Sequence, residues 1–357
     1  MITNFEIQVQ GISTDRDRLQ QLNSPTEMLV EKSLNSVSAA WLVYPASFED
    51  SLFSTDEDFL FPAAMRLMTQ LQEPESNDIS ESIFFQGLLC SYSIQASGCL
   101  VLEYRDPLIV ATEVDRSEAW QKTSLKEVVS QALRNASAER GGRSLKVSFQ
   151  DEAEFPIESL TNIGQTDFEF VRDLAEKFGF RFFFHHAEKG SDEVTFFKPN
   201  FSRLPDSELA YEDIQSTASI KISTLKAPNT VFVQRGTGVE EVGIETYQNQ
   251  FSKCFEKKVA LRERLGIELN SHLYCPGISQ REAQEMAQGE FLGRILEGDR
   301  LHFQSERVFP IGSLIKVNPS DDSIVTGRRF HGVYLIDRVR SRLDGFRWLH
   351  EYEGVRP

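Results

Sequence analysis

The stretch "QTDFEFVRDLAEKFGFRFFFHH", residues 165–186, constrains the chain more than any other. Thr166 is followed three residues later by Glu169. In such a capping box each side chain satisfies a backbone N–H that the first helical turn leaves free. Phe168, Val171, Leu174, Ala175 and Phe178 then recur along one helical face, and Gly179 supplies the left-handed stop. A short capped helix is therefore set directly against Arg181–His186, a strand with three consecutive phenylalanines. His185–His186 at its end invites a metal reading. Adjacent strand residues point to opposite faces, so the pair is poorly placed to share one ion. His272, His302, His331 and His350 are scattered, and no metal site is expected.

Two more helix starts carry the same signature. In "TSLKEVVSQALRNASAERGG", Ser124 and Glu127 form the box, Leu125, Val128, Val129, Ala132 and Leu133 make the stripe, and Gly141–Gly142 end it. In "SQREAQEMAQGEFLGRIL", Ser279 pairs with Glu282, and Ala283, Met286, Ala287 and Phe291 line the face. Around these helices the text is strand-like. Residues 1–110 carry short β-rich runs broken by Gly87 and Gly98, with one exception: in "DEDFLFPAAMRLMTQLQ", Pro62 is expected to start a short helix. Residues 216–357 return to strands in "ASIKISTL", "NTVFVQRG", "DRLHFQSE", "GSLIKVN", "HGVYLIDRVRSRL" and "FRWLHEYE". The outline is a β region, an α/β region, then a second β region with a helical insert: α+β, mainly β.

Composition excludes several function classes. Lysine and arginine number 38 against 54 acids, a net charge of −16, and a nucleic-acid binder needs a basic stripe instead. The one basic window, with Arg328, Arg329, Arg338, Arg340, Arg342 and Arg347, alternates with Tyr334, Ile336, Val339 and Leu343, as a solvated strand face does. Cys90, Cys99, Cys254 and Cys275 lack zinc-site spacing and are expected to be reduced thiols. No apolar run approaches the roughly 18 residues of a membrane helix. Phe5, Ile7 and Val9 alternate with Glu6 and Gln8, which is a strand and not a signal peptide, so synthesis and assembly in the cytoplasm are expected. The 27 phenylalanines, against 8 tyrosines and 3 tryptophans, favour buried seams and subunit contacts over wet ligand sites.

Catalytic patterns are missing. Glu240–Glu241 and Asp321–Asp322 lie in polar surroundings that offer no desolvation to move a pKa. "RGTG" at 235–238 is too short for a dinucleotide loop, and no G-x-S-x-G, HExxH or Cys/His nucleophile pattern is present. No catalytic, cofactor-binding or metal residue is assigned.

At residues 165–184 the text resembles a segment of the baseplate hub family of contractile injection machines. These are the phage late control gene D proteins, the VgrG spikes of type VI secretion and the central hubs of myophage baseplates. "LEYRDPLIVATEVDRSEAWQKTSLKEVVSQAL", "SQREAQEMAQGEFLGRIL", "FPIGSLIKV" and "HGVYLIDRVRSRL" resemble further family segments in the family's order, across residues 90–357. Residues 20–75 differ from the usual start, and Arg342 and its neighbours stand where the family has a histidine. The resemblance implies two β-barrel-like hub domains, at 1–110 and 216–357, around an α/β domain at 111–215, with a helical insert at about 245–307. It implies a homotrimer whose ring adapts a sixfold inner tube to a threefold spike, and it makes Phe182, Phe183 and Phe184 sheet and seam residues. The chain ends after the hub region without an OB-fold, so a separate spike protein, an inner tube protein and other baseplate proteins are the expected partners. Two other classes make different demands. A particle-borne cell-wall hydrolase needs a catalytic constellation. A free-standing β-barrel binding module needs exposed tryptophans, whereas Trp41, Trp120 and Trp348 sit in apolar contexts.

Overall fold

The computed structural model describes residues 2–11, 19–22, 25–45, 62–72, 79–139, 145–186, 192–214, 216–223, 228–236, 238–243, 253–318, 327–344 and 347–357. The first β region forms β1 (Ile2–Gly11), β2 (Leu19–Leu22), β3 (Glu27–Ser33), β4 (Ala39–Tyr44), β5 (Pro62–Gln72), β6 (Ile79–Ile94) and β7 (Leu100–Arg105). The helix expected from Pro62 is thus a strand. Met65, Leu67 and Thr69 are buried and alternate with half-buried Arg66, Met68 and Gln70, and that period of two suits a pleated sheet. Proline is tolerated there because it is the strand's first residue.

The middle of the chain supplies β8 (Asp115–Ser124), α1 (Leu125–Glu139), β9 (Lys146–Phe149), β10 (Pro156–Thr166), α2 (Asp167–Lys177), β11 (Arg181–His186) and β12 (Asp192–Phe197). The last part supplies β13 (Ser207–Ala210), β14 (Ser219–Lys221), β15 (Thr230–Arg235), β16 (Gly238–Gly243), α3 (Lys253–Arg264), β17 (Asn270–Tyr274) and α4 (Gln280–Leu296). It closes with β18 (Asp299–Ser305), β19 (Leu314–Asn318), β20 (Gly332–Asp344) and β21 (Arg347–Arg356). All three capping boxes form. Ser124 Oγ accepts from Glu127 N at 3.3 Å while Glu127 accepts from Ser124 N at 3.1 Å, and Thr166/Glu169 and Ser279/Glu282 repeat the exchange. Each such cap stabilises its helix by about 1 kcal/mol.

One sheet of 13 strands joins the two β regions, in the order β14-β18-β21-β20-β3-β4-β7-β6-β5-β1-β2, with β13 and β19 branching from β20. No closed barrel is formed among the described residues. The link is β20. Its first part pairs with β19, from Gly332 to Leu335, and its second with β3, from Arg338 to Asp344, with an irregularity at Asp337 between them. The β20–β21 hairpin therefore feeds two cores. Tyr334, Leu335 and Tyr352 pack with Leu301, Phe303 and Ile315, whereas Leu343 and Trp348 pack with Met28, Leu42, Tyr44 and Leu102.

A third core holds α1, α2 and α4 against three small sheets, β10-β8, β11-β12-β9 and β16-β15-β17. Val231 and Val233 of β15 and Ala283, Ala287 and Phe291 of α4 belong to this core, so the helical insert packs chiefly with the α/β elements. α2 and α4 meet at two glycines. A Cβ on Gly289 would lie 2.4 Å from Lys177 O and 2.5 Å from Gly179 N, and Gly179 itself has φ +76°. The stop residue of α2 is thus also the point of closest approach to α4.

Candidate assembly site: the seam and the exposed sheet

The phenylalanine strand lies between two cores. Phe182 and Phe184 belong to the α/β core, with Phe182 4.9 Å from Phe196 between ring centres. Phe183 points the other way, against the second β core, 6.1 Å from Phe197. Strand alternation makes one short strand the seam between layers. A single turn pins it. Asn35, at the bend between β3 and β4 with φ +55°, donates its N–H to Phe182 O at 2.9 Å, and its Oδ1 accepts from Phe182 N at 2.9 Å. Next to it, Leu34 N donates to Asp337 O at 3.0 Å, at the irregularity of β20. Asn35, Phe182 and Asp337 thus tie the first β region, the α/β layer and the second β region at one point.

Charges are buried around this junction. Burial lowers the Arg181 guanidinium's pKa and raises that of the Asp337 carboxyl, while their mutual attraction opposes both shifts. Asp106 accepts from Ser38 N at 2.6 Å and from Leu108 N at 3.0 Å, and burial pushes its carboxyl up to about 6. Lys32 donates to Phe84 O and stands 4.5 Å from the Phe84 ring centre; burial brings its ammonium down to about 8. His350 is fully buried. Its Nδ1 lies 2.7 Å from Ser341 Oγ, its ring stacks near Trp348, and burial, with a lesser contribution from Lys32, lowers its pKa to about 4.

These groups are packed and hydrogen-bonded within the fold. The polar atoms of Asp106 point into their own backbone partners. The groove between α2 and α4, about 530 Å³, is lined by Asp173, Glu176, Lys177, Arg181, Glu290 and Arg294, acids and bases together, with Arg294 bonded to Glu290 at 2.9 Å. His185 is exposed and sits opposite Glu193 in register, while the side chain of His186 lies outside the described residues. Among the described residues no three His, Cys, Asp or Glu side chains group as metal ligands would. Glu240 pairs with Arg235 at 3.2 Å, and Asp321–Asp322 lie outside the described residues. Arg235 of β15 and Gly238 of β16, the two ends of "RGTG", stand opposite each other, and Thr237 between them lies outside the described residues.

The basic window is a strand face only from Arg338 to Arg347, where ion pairs lace it; Arg328 and Arg329, expected on that face, fall instead in the helical turn Gly327–Phe330. Arg338 meets Glu31, Arg342 lies 3.7 Å from Glu27, and Arg347 meets Glu306. Trp120 and Trp348 are buried, and Trp41 is half-buried under the Arg105 guanidinium, 5.3 Å from its ring centre. Cys90 is an exposed free thiol, and Cys99 and Cys275 are half-buried ones. No helix among the described residues is long and apolar enough to cross a membrane. Two features were missed at the level of sequence. His350 had a signal in Trp348, His350 and Tyr352, three residues at period two on one buried face. The other is the end of the β6–β7 hairpin, where Leu88, Tyr92 and Ile94 are 36%, 47% and 51% exposed.

The fold is that of tail proteins from phages, prophages and related injection machines. Over 99% of its length the chain is similar to the 43 kDa tail protein of prophage MuSo2 from Shewanella oneidensis, at 13% identity, TM-score 0.61 and 98% of that chain. It is similar in the same way to a tail protein from Neisseria meningitidis MC58, at 11% identity, TM-score 0.63 and 96% of that chain. A third likeness, at 12% identity and TM-score 0.52 over 77% of that chain, is to the E. coli c3393 protein. That protein is a component of the type VI secretion system with structural similarity to the T4 tail proteins gp27 and gp5. No protein-family model and no curated protein sequence matches the chain.

Proposed function

We propose that the chain is a structural baseplate hub of a contractile injection system or phage-like tail. Three copies form a ring around an axial channel, one end meeting the sixfold inner tube and the other a separate threefold spike. Each copy contributes two barrel-like units, 1–110 and 216–357, braced by the α/β region at 111–215 and assembled in the cytoplasm with other baseplate proteins. The observation that carries the reading is end-to-end likeness to tail proteins of nearly equal length. The joined sheet supports it too: β20 pairs with β19 at one end and β3 at the other, so one continuous sheet runs through both β regions. The proposed role is mechanical. Sedimentation of the purified chain, alone and with spike and tube proteins, tests it. The expected mass is three times that of the 40.7 kDa chain. A mass of one chain under every condition refutes the ring.

A further inference from the structure

We propose that the groove between α2 and α4, together with the open edge of β17, receives an extended peptide segment of another protein that carries an acidic side chain. Occupancy of this site does not depend on assembly of the hub.

The edge follows from the register. β17 ends the sheet β16-β15-β17 and pairs with β15 alone among the described residues. Cys275 N donates to Gln234 O at 2.9 Å, so at a period of two Leu273 and Ser271 also turn their N–H and C=O groups toward β15. Asn270, His272 and Tyr274 turn theirs the other way, where no hydrogen bond among the described residues reaches them. All three residues are exposed, Tyr274 to 67%. Such an edge takes one more strand through its main-chain groups. The side chains of Ser271 and Leu273 face α4: Ser271 Oγ donates to Glu290 at 3.1 Å, and Leu273 lines the groove. A strand added beside β17 therefore sends every second side chain toward that groove.

The floor of the groove selects the side chain. Its volume, about 530 Å³, lies in the range of ligand clefts. Asp173, Glu176, Arg294 and Glu297 are exposed at its rim, whereas Lys177, Arg181 and Glu290 are half-buried. Glu290 is held by Ser271 and by Arg294. The side chains of Arg181 and Lys177 make no hydrogen bond or ion pair among the described residues. Asp337, Glu176 and Glu297 attract Arg181 only through space. A guanidinium carries five N–H donors in a fork that matches a carboxylate, and partly buried donors of that kind call for an acceptor. An acidic side chain reaching the floor fills the fork with Lys177 beside it, and a basic one meets two like charges there.

Fluorescence anisotropy of the full chain with fluorescein-labelled heptapeptide pools tests the site. The pools are mixed at every position except the centre, which is fixed as aspartate, asparagine or lysine. The aspartate pool should bind about 10-fold tighter than the asparagine pool, a charge-assisted against a neutral hydrogen bond, and the lysine pool weakest. Arg181→Met should erase the difference between the first two. Glu176→Gln should tighten the aspartate pool by removing a like charge from the rim. Two further variants block the site without altering its cations. Gly293→Leu fills the groove from α4, where a Cβ meets nothing within 4 Å, and replaces a helix-interior glycine, so the melting temperature should hold or rise. His272→Pro removes an edge N–H that β15 does not use. Each should weaken the aspartate pool by about 10-fold or more in a folded protein. Binding by no pool, equal binding by all three, tightest binding of lysine, or undiminished binding to both folded blocked variants overturns the site. A chain that binds the aspartate pool yet sediments as one copy with spike and tube proteins overturns the hub and leaves this site standing.

Discussion

Replacing His350 by asparagine should remove an acid sensitivity built into the junction of the two β regions. In the folded chain His350 is fully buried, its Nδ1 held by Ser341, and its pKa lies near 4, against about 6.5 when unfolded. The folded base takes up a proton less readily than the unfolded one, so between those values the unfolded chain binds more protons and stability rises with pH. Going down from neutrality, the folded state loses about 2 kcal/mol by pH 5 and about 3 kcal/mol by pH 4 from this one group. Asp106 works oppositely: its raised pKa, about 6, adds stability as pH falls through 6. The difference between wild type and variant cancels that term and isolates the histidine. Asparagine keeps a polar atom for Ser341 and does not titrate. Urea unfolding at fixed protein concentration, from pH 7.5 to 4.5, should show the wild type losing ground to His350→Asn as the pH drops. A difference that stays flat across that range would falsify the assignment of His350 as a neutral buried base.

Other substitutions probe the tie points. Gly289→Ala places a methyl group against the backbone of Lys177 and Gly179, and should cost more than about 3 kcal/mol by thermal denaturation. Asp299→Ala leaves Lys258 and Arg356, both buried and both bonded to that carboxylate, without it; a loss of about 3–5 kcal/mol in urea titration is expected. Asn35→Ala removes the acceptor for Phe182 N and places at φ +55° a residue that tolerates the left-handed region less well than asparagine; about 1–2 kcal/mol should be lost, and Asn35→Gly should lose less.

Local signals in the sequence were readable because their physics is local. The boxes at Ser124, Thr166 and Ser279 need only residues three apart, and each formed where expected. The run 332–344 showed its period of two and became β20. Long-range choices left weaker traces. α3 was hidden because Lys258 and Arg262 turn inward, with Lys258 reaching Asp299, so its buried side does not look apolar. β5 was misread because Pro62, Ala63 and Ala64 suit a first helical turn as well as a strand. That β20 would reach two partner strands depends on the irregularity at Asp337, which no spacing announces. Asn35 gave one hint, as a residue type that tolerates the left-handed region in a turn, but its partner Phe182 is far along the chain.

The most direct measurement of the central claim is electron cryomicroscopy of the chain assembled with its tube and spike proteins. The account predicts a ring of three copies around an open axis, six β units facing the tube. Particles with any other number of copies, or with the chain bound singly on the outside of the tube, would contradict it.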